Sequence, residues 1–226
     1  MSERILSIVI ESFPKMLLAG IKVTIPLTII SFSIAMVIAV MVALVQLANI
    51  RGLKQLARFY IWVVRGTPLM VQLFIVFYGL PNLGLVIDPF PCAVVVFSLN
   101  EGAYCAETMR AAIQSVPQGQ IEAGYCVGMN YLQIMWHIVL PQAFRTAFPP
   151  LSNSLIGMVK DTSLAANITV TEMLMTTQRI VAYYYEALVL YCEVALVYLL
   201  FCTVLTWVQR WGENRLDITR RKGAQA

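Results

Sequence analysis

Long apolar stretches alternate with short polar ones along the chain: Ile25 to Ala48, Phe59 to Leu80, Cys92 to Ile113, Leu151 to Val170 and Ala187 to Val208. Each holds about 20 residues, and a helix of that length matches a hydrocarbon layer about 30 Å thick. The pattern predicts an all-α membrane protein with five transmembrane helices. Upstream, Ile5, Val9, Phe13, Met16 and Leu17 fall roughly on one side of a helix that Ser2 can cap. This predicts an amphipathic segment over residues 1–22, lying on the membrane. A membrane domain over 23–208 and a basic tail over 209–226 complete the division.

The third connection breaks the rhythm. Ile113 and Leu151 are far apart for neighbours in a bundle, yet the sequence between them is not low in complexity. Gln118 to Met129 and Tyr131 to Val139 read as two short helices hinged near Gly128, with Pro141 ending the second. A helical hairpin standing off the membrane domain over 114–150 is a docking surface or an amphipathic element on lipid.

Composition agrees with burial in lipid: of 226 residues, 59% are hydrophobic and 12% charged, more apolar surface than one aqueous core can hide. The net charge of +4 does not line one face with interleaved aromatics, so a nucleic-acid partner is not indicated. Its distribution instead reports orientation. With the N-terminus outside, the inner side holds Arg51, Lys54, Arg58, Arg110, Arg145, Arg210, Arg215, Arg220, Arg221 and Lys222, and the outer side only Arg4, Lys15, Lys22 and Arg179. That asymmetry places the C-terminus inside. Glu11 interrupts the apolar run after Arg4, which argues against a cleaved signal peptide. Cys92, Cys105, Cys126, Cys192 and Cys202 show no CxxC or metal-type spacing. His137, the sole histidine, has no nucleophile or carboxylate at a telling distance, so catalysis by this chain is not expected.

Charged residues inside the apolar stretches are the candidate chemistry, because at mid-bilayer they must face protein or water. Lys160 and Asp161 are adjacent and diverge on a helix. Asp161, Thr162 and Ser163 either offer oxygens to a substrate ammonium, or Asp161 pairs with Arg65 or Lys160. Thr67 and Pro68 break the second stretch, either to present backbone groups to a solute or as a packing kink. Gln72 is a possible amide ligand one turn on. Asn100 and Glu101 lie near the middle of the third stretch, where Glu101 tunes selectivity or pairs with Lys160. Glu107 and Arg110, at i and i+3, read as a structural pair.

The hairpin sequence Gln120-Ile-Glu-Ala-Gly-Tyr-Cys-Val-Gly-Met, followed by Ile138-Val-Leu-Pro-Gln-Ala143, resembles the signature loop of ABC importer permeases. That loop reads Glu-Ala-Ala, three residues, Gly, nine residues, Ile-x-Leu-Pro. Glu122, Ala123, Gly128, Ile138, Leu140 and Pro141 match, and Gly124 departs from the usual Ala. Arg65-Gly-Thr-Pro-Leu-Met-Val-Gln-Leu-Phe74, Ala103-Tyr-Cys-Ala-Glu107 and Lys160-Asp-Thr-Ser-Leu164 are similar to the polar amino acid group of that family. Ala57-Arg-Phe-Tyr60 and Leu151-Ser-Asn-Ser154 are most like its L-cystine members.

The resemblance implies the type I ABC importer permease fold, a homo- or heterodimer of permeases, two cytoplasmic ATPase subunits carrying ATP and Mg, and an extracytoplasmic solute-binding protein. It places Glu122, Ala123, Gly124, Gly128, Leu140 and Pro141 at the ATPase contact, and the stretch from Asp161 to Ser163 beside the transport pathway. The chain has no GxxxxGK[ST] loop, so no cofactor is expected on it. An ion-coupled secondary amino acid transporter is the alternative, against which stands the lack of an obvious internal repeat.

Overall fold

A computed structural model describes residues 2–48 and 50–216, without the side chain of Ser2. The expected Ser2 cap and Arg220, Arg221 and Lys222 of the basic tail lie outside the described residues. α1 (Ser2–Ala19) passes through a π-turn at Gly20–Thr24 into α2 (Ile25–Leu47). Together they form one continuous helix of 45 residues from Glu3, about 68 Å long and about twice the hydrocarbon thickness. The remaining helices are α3 (Arg51–Gly66), α4 (Leu69–Phe74), α5 (Pro89–Gln114), α6 (Gln118–Cys126), α7 (Tyr131–Ile134), α8 (Leu140–Asp161), α9 (Met173–Tyr184) and α10 (Ala187–Arg215).

Prolines explain several irregularities. Five-residue π-turns occupy Gly20–Thr24, Ile75–Gly79 and Met135–Val139, and each ends two residues before a proline: Pro26, Pro81 and Pro141. Proline lacks the N–H that would bond the carbonyl four residues back, and its ring crowds that carbonyl. The wider turn shifts the bonding, with the N–H of Ile25 donating to the carbonyl of Gly20 and that of Leu140 to that of Met135. Pro141 therefore opens α8 instead of ending the second hairpin helix. The expected fourth span starts earlier than Leu151, and its α-helix stops at Asp161 before a 3-10 segment, Thr162–Ile168.

Small residues set the centre of the bundle. Ala35, Ala39 and Ala43 form a buried i, i+4 stripe on α2, which packs on α5, and Ala39 shares a core with Cys105 and Ala106. A Cβ at Gly102 would meet Ile38 Cγ2 at 2.8 Å, so this approach depends on the missing side chain. Ala143, Ala147 and Leu151 of α8 close the same core.

The first and last helices clasp one another. The buried stripe of α1 is Ile8, Ser12, Met16 and Gly20, not the Ile5, Val9, Phe13 side that periodicity favoured. It packs against Met173 of α9 and Leu190, Val194 and Val197 of α10. Ser12 Oγ donates to Glu193 Oε2, which joins α1 to α10, and the Tyr184 hydroxyl donates to Glu11.

Among the described residues two helices are long and apolar enough to cross a membrane, Glu3–Leu47 and Ala187–Arg215, or three if the bent pair α3 and α4 counts as one span. The count of five is thus coarser in the structure than in the hydropathy pattern. α5 carries Glu101, Glu107 and Arg110, and α8 carries Arg145, Lys160 and Asp161, which lower their apolar character. The second stretch is not one straight helix either: α3 and the segment Leu69–Leu83 meet at 103°. Arg51, Lys54 and Arg58, expected in a loop, form the first two turns of α3.

Candidate functional site

The hairpin is built by two glycines with different tasks. α6 ends in a Schellman motif, in which the N–H of Gly128 donates to the Tyr125 carbonyl and that of Met129 to the Gly124 carbonyl, both at 3.0 Å. Gly128 has φ +81, a left-handed conformation that costs a side-chain-bearing residue about 1–2 kcal/mol. Gly124 serves packing: a Cβ there would lie 2.8 Å from Ile134 Cγ1 and 3.1 Å from Ile138 Cδ1. The departure from Ala thus draws α6 onto the second arm, where Val116, Ile134 and Val139 form a small core. Asn130 starts that arm with a reciprocal capping box, its Oδ1 accepting from the Gln133 N–H and Gln133 Oε1 accepting from the Asn130 N–H.

The outer surface of this rigid hairpin carries Glu122 and Ala123, both exposed, beside exposed Tyr125, Val127, Leu132 and Trp136. Glu122 has no ion pair or hydrogen bond among the described residues. Leu140 and Pro141 lie exposed at the foot of the hairpin, where α8 begins.

The broken second stretch is closed by side chains. Thr67 and Pro68 adopt extended backbone between α3 and α4, which frees carbonyls at the end of α3. Thr67 Oγ1 donates to the Val63 carbonyl at 2.9 Å. Gln72 Nε2 reaches the Val64 carbonyl at 2.7 Å and Thr67 Oγ1 at 2.8 Å, and Asn100 Nδ2 donates to Gln72 Oε1 at 3.1 Å. Both ends of the Gln72 amide are engaged in sealing the break, and Asn100 is buried behind it.

The acidic residues are arranged differently. Glu101 accepts from the Cys105 thiol at 3.4 Å and lies near Ser154 of α8 and Asp161. Thr162 is fully buried with its hydroxyl on the Val159 carbonyl, and Ser163 donates to the Lys160 carbonyl. Asp161 alone of that trio is an exposed residue. Among the described residues the ion pairs are Arg4 with Glu186, Lys15 with Glu11 and Arg110 with Glu107. The anticipated pairings of Asp161 with Arg65 or Lys160, and of Glu101 with Lys160, are not formed; Arg65 instead stacks over the Tyr104 ring at 4.9 Å. The Glu107–Arg110 pair is present at 2.8 Å.

Sequence reading overlooked Glu172. It caps α9 by accepting from the Met175 N–H and takes the Tyr198 hydroxyl of α10, each at 2.7 Å. Glutamate is not a favoured N-cap type, so only its place before an apolar run marked it.

Residues 35–218 match the family model of binding-protein-dependent transport system inner membrane components. The chain belongs to this family. It is a permease component of a multi-pass inner-membrane transport system and not itself an enzyme. Among curated relatives, it is 48% identical to the L-cystine transport system permease protein TcyB of Bacillus subtilis (strain 168), over 92% of this chain and 89% of that one. It is 39% identical to the L-cystine transport system permease protein TcyL of the same organism, over 92% of this chain and 90% of that one. Among solved structures, a chain of an amino acid ABC transporter crystallised with histidines matches with a TM-score of 0.85 and 29% identity, over 91% of this chain and 96% of that chain.

Proposed function

We propose that this chain forms the translocation path of an ATP-driven amino acid importer, that its substrate is L-cystine, and that the hairpin receives the force of the ATPase. The observation that carries the reading is Glu122: an exposed carboxylate without a partner among the described residues, on a helix fixed by Gly124 and Gly128 and flanked by exposed apolar side chains. A preorganised carboxylate beside apolar contacts suits an Arg or Lys of an ATPase subunit. The substrate assignment rests on the two cystine permeases among the relatives.

In this reading α2, the bent pair, α5, α8 and α10 are the five spans. At 26 and 22 residues, α5 and α8 are about 39 and 33 Å long and clear the hydrocarbon layer. Glu101 and Asp161 then face a path shared with a second permease protomer. The N-terminus lies outside and the hairpin in the cytoplasm, where two ATPase subunits hold ATP and Mg; a solute-binding protein delivers cystine from outside. Asp161 and Glu101 present carboxylate oxygens to the two ammonium groups of cystine, while Gln72, Thr67, Pro68, Asn100, Thr162 and Ser163 shape the wall.

Co-expression with its ATPase and binding protein in cells lacking cystine uptake tests both parts. Labelled cystine should accumulate and be displaced by unlabelled cystine in preference to glutamine or arginine. Glu122→Lys should weaken ATPase copurification by about tenfold or more, the loss of one charge-assisted contact. Undiminished copurification removes Glu122 from the interface, and accumulation of glutamine without cystine removes the substrate.

A further inference from the structure

A cleft of about 380 Å³ opens between the end of α2, the start of α3 and the end of α5, lined by Gln46, Lys54, Arg58, Trp62, Glu107 and Arg110 among others. This lies within the about 300–1,000 Å³ of small-molecule sites. Nothing in the transport reading uses it. Arg110 is neutralised by Glu107 and also bonds Gln114, whereas Lys54 and Arg58 have no anionic partner among the described residues. The cleft thus keeps two uncompensated positive charges. Gln46 is 92% buried, and its Nε2, directed toward the Glu107 carboxylate, completes no hydrogen bond among the described residues. A buried donor left unpaired is costly, and a turn of the amide toward an anionic oxygen in the cleft would satisfy it.

We propose that this cleft binds the phosphodiester headgroup of an anionic phospholipid. The phosphate takes Lys54, Arg58 and the Gln46 amide, and the acyl chains lie along the outer face of α3. That face is exposed and apolar, with Leu56 at 64%, Phe59 at 59% and Trp62 at 73% exposure. A tryptophan at the lip of a basic cleft is the pattern of a membrane–water boundary. Free phosphate would have no use for the flanking aliphatic and aromatic surface. A purely orienting role for Lys54 and Arg58 requires their charge alone, not a cleft with a buried amide donor in its wall. α5 ends at Gln114 and α6 begins at Gln118, so the cleft sits at the hairpin end of the bundle. On the orientation proposed above, this is the cytoplasmic leaflet. A lipid held there would brace α3 against α5 immediately before the chain enters the hairpin.

The test uses the full chain in mild detergent, with native mass spectrometry scoring retained phosphatidylglycerol against phosphatidylcholine of the same acyl chains. Wild-type protein should retain the anionic lipid preferentially. Lys54→Gln with Arg58→Gln should lower that retention about 25-fold, about fivefold for each cation. Gln46→Leu, which keeps every charge, should lower it about tenfold, with elution on size exclusion as for wild type. Equal retention of both lipids by wild type overturns the proposal. So does unchanged retention in Gln46→Leu, which would mean diffuse electrostatics without a site, even if the double variant fails to fold. Full displacement by millimolar inorganic phosphate overturns the lipid assignment in favour of a free-phosphate site. Retention in detergent does not depend on orientation or on transport, so failure here and failure of the importer reading are separable.

Discussion

At the scale of the residue, partners decide roles. Asp161 and Gln72 both appear in the sequence as polar groups inside apolar stretches, and each has a bland and a functional reading. The structure separates them: Gln72 is held at both ends by Val64, Thr67 and Asn100, while Asp161 is exposed and forms no ion pair among the described residues. Replacing Gln72 with Ala should leave the Val64 carbonyl without its side-chain donor and destabilise the fold by about 1–3 kcal/mol. Asp161→Asn should leave the assembled complex intact and raise the cystine concentration for half-maximal uptake by on the order of tenfold, since it removes one charge-assisted contact. Wild-type uptake by that variant, measured alongside thermal unfolding of Gln72→Ala, would remove Asp161 from the path. None of this distinction was legible in the sequence, because it depends on which atoms the break at Pro68 leaves unpaired, and that is settled only in three dimensions.

At the scale of the element, local signals worked where one residue dictates the backbone. Gly128 was readable as a hinge, because few residues other than glycine tolerate its φ of +81. Asn130 and Gln133 at their three-residue spacing carry a capping signal of the same kind. Pro141 misled for an equally physical reason: proline usually ends a helix, but a π-turn ahead of it absorbs the missing donor and α8 continues to Asp161. Gly124 stands in the sequence only as a departure from the usual Ala and proves to be a close contact. A side chain there must push α6 away from Ile134, whose Cγ1 would lie 2.8 Å from the new Cβ. Gly124→Val should therefore lower thermal stability of the hairpin and coupled ATP hydrolysis together. Adding Ile134→Ala, which vacates that space, should recover much of both, whereas a double variant no better than the single would show that Gly124 acts through backbone freedom.

At the scale of the whole molecule, hydropathy fixed the class of protein but not the course of the chain. The stretches over α2 and α10 were legible because both are nearly free of charge over a full span. The second was not, because a 103° bend separates residues that a sliding window averages together. The clasp of α1 on α9 and α10 was hidden as well, since it runs through Ser12 and Glu193, two polar residues in apolar surroundings. Orientation, inferred only from the distribution of Lys and Arg, carries the whole mechanism, since an ATPase reaches Glu122 only from the cytoplasm. Cys126 offers the direct measurement, being exposed on α6 four residues beyond Glu122. In a chain that keeps it as the sole cysteine, a membrane-impermeant maleimide should label it in inverted vesicles and spare it in intact cells, except after permeabilisation. Labelling from outside in intact cells would place the hairpin beyond reach of any cytoplasmic motor and end the proposed coupling. It would leave the cleft at Lys54 and Arg58 as a lipid site of the opposite leaflet.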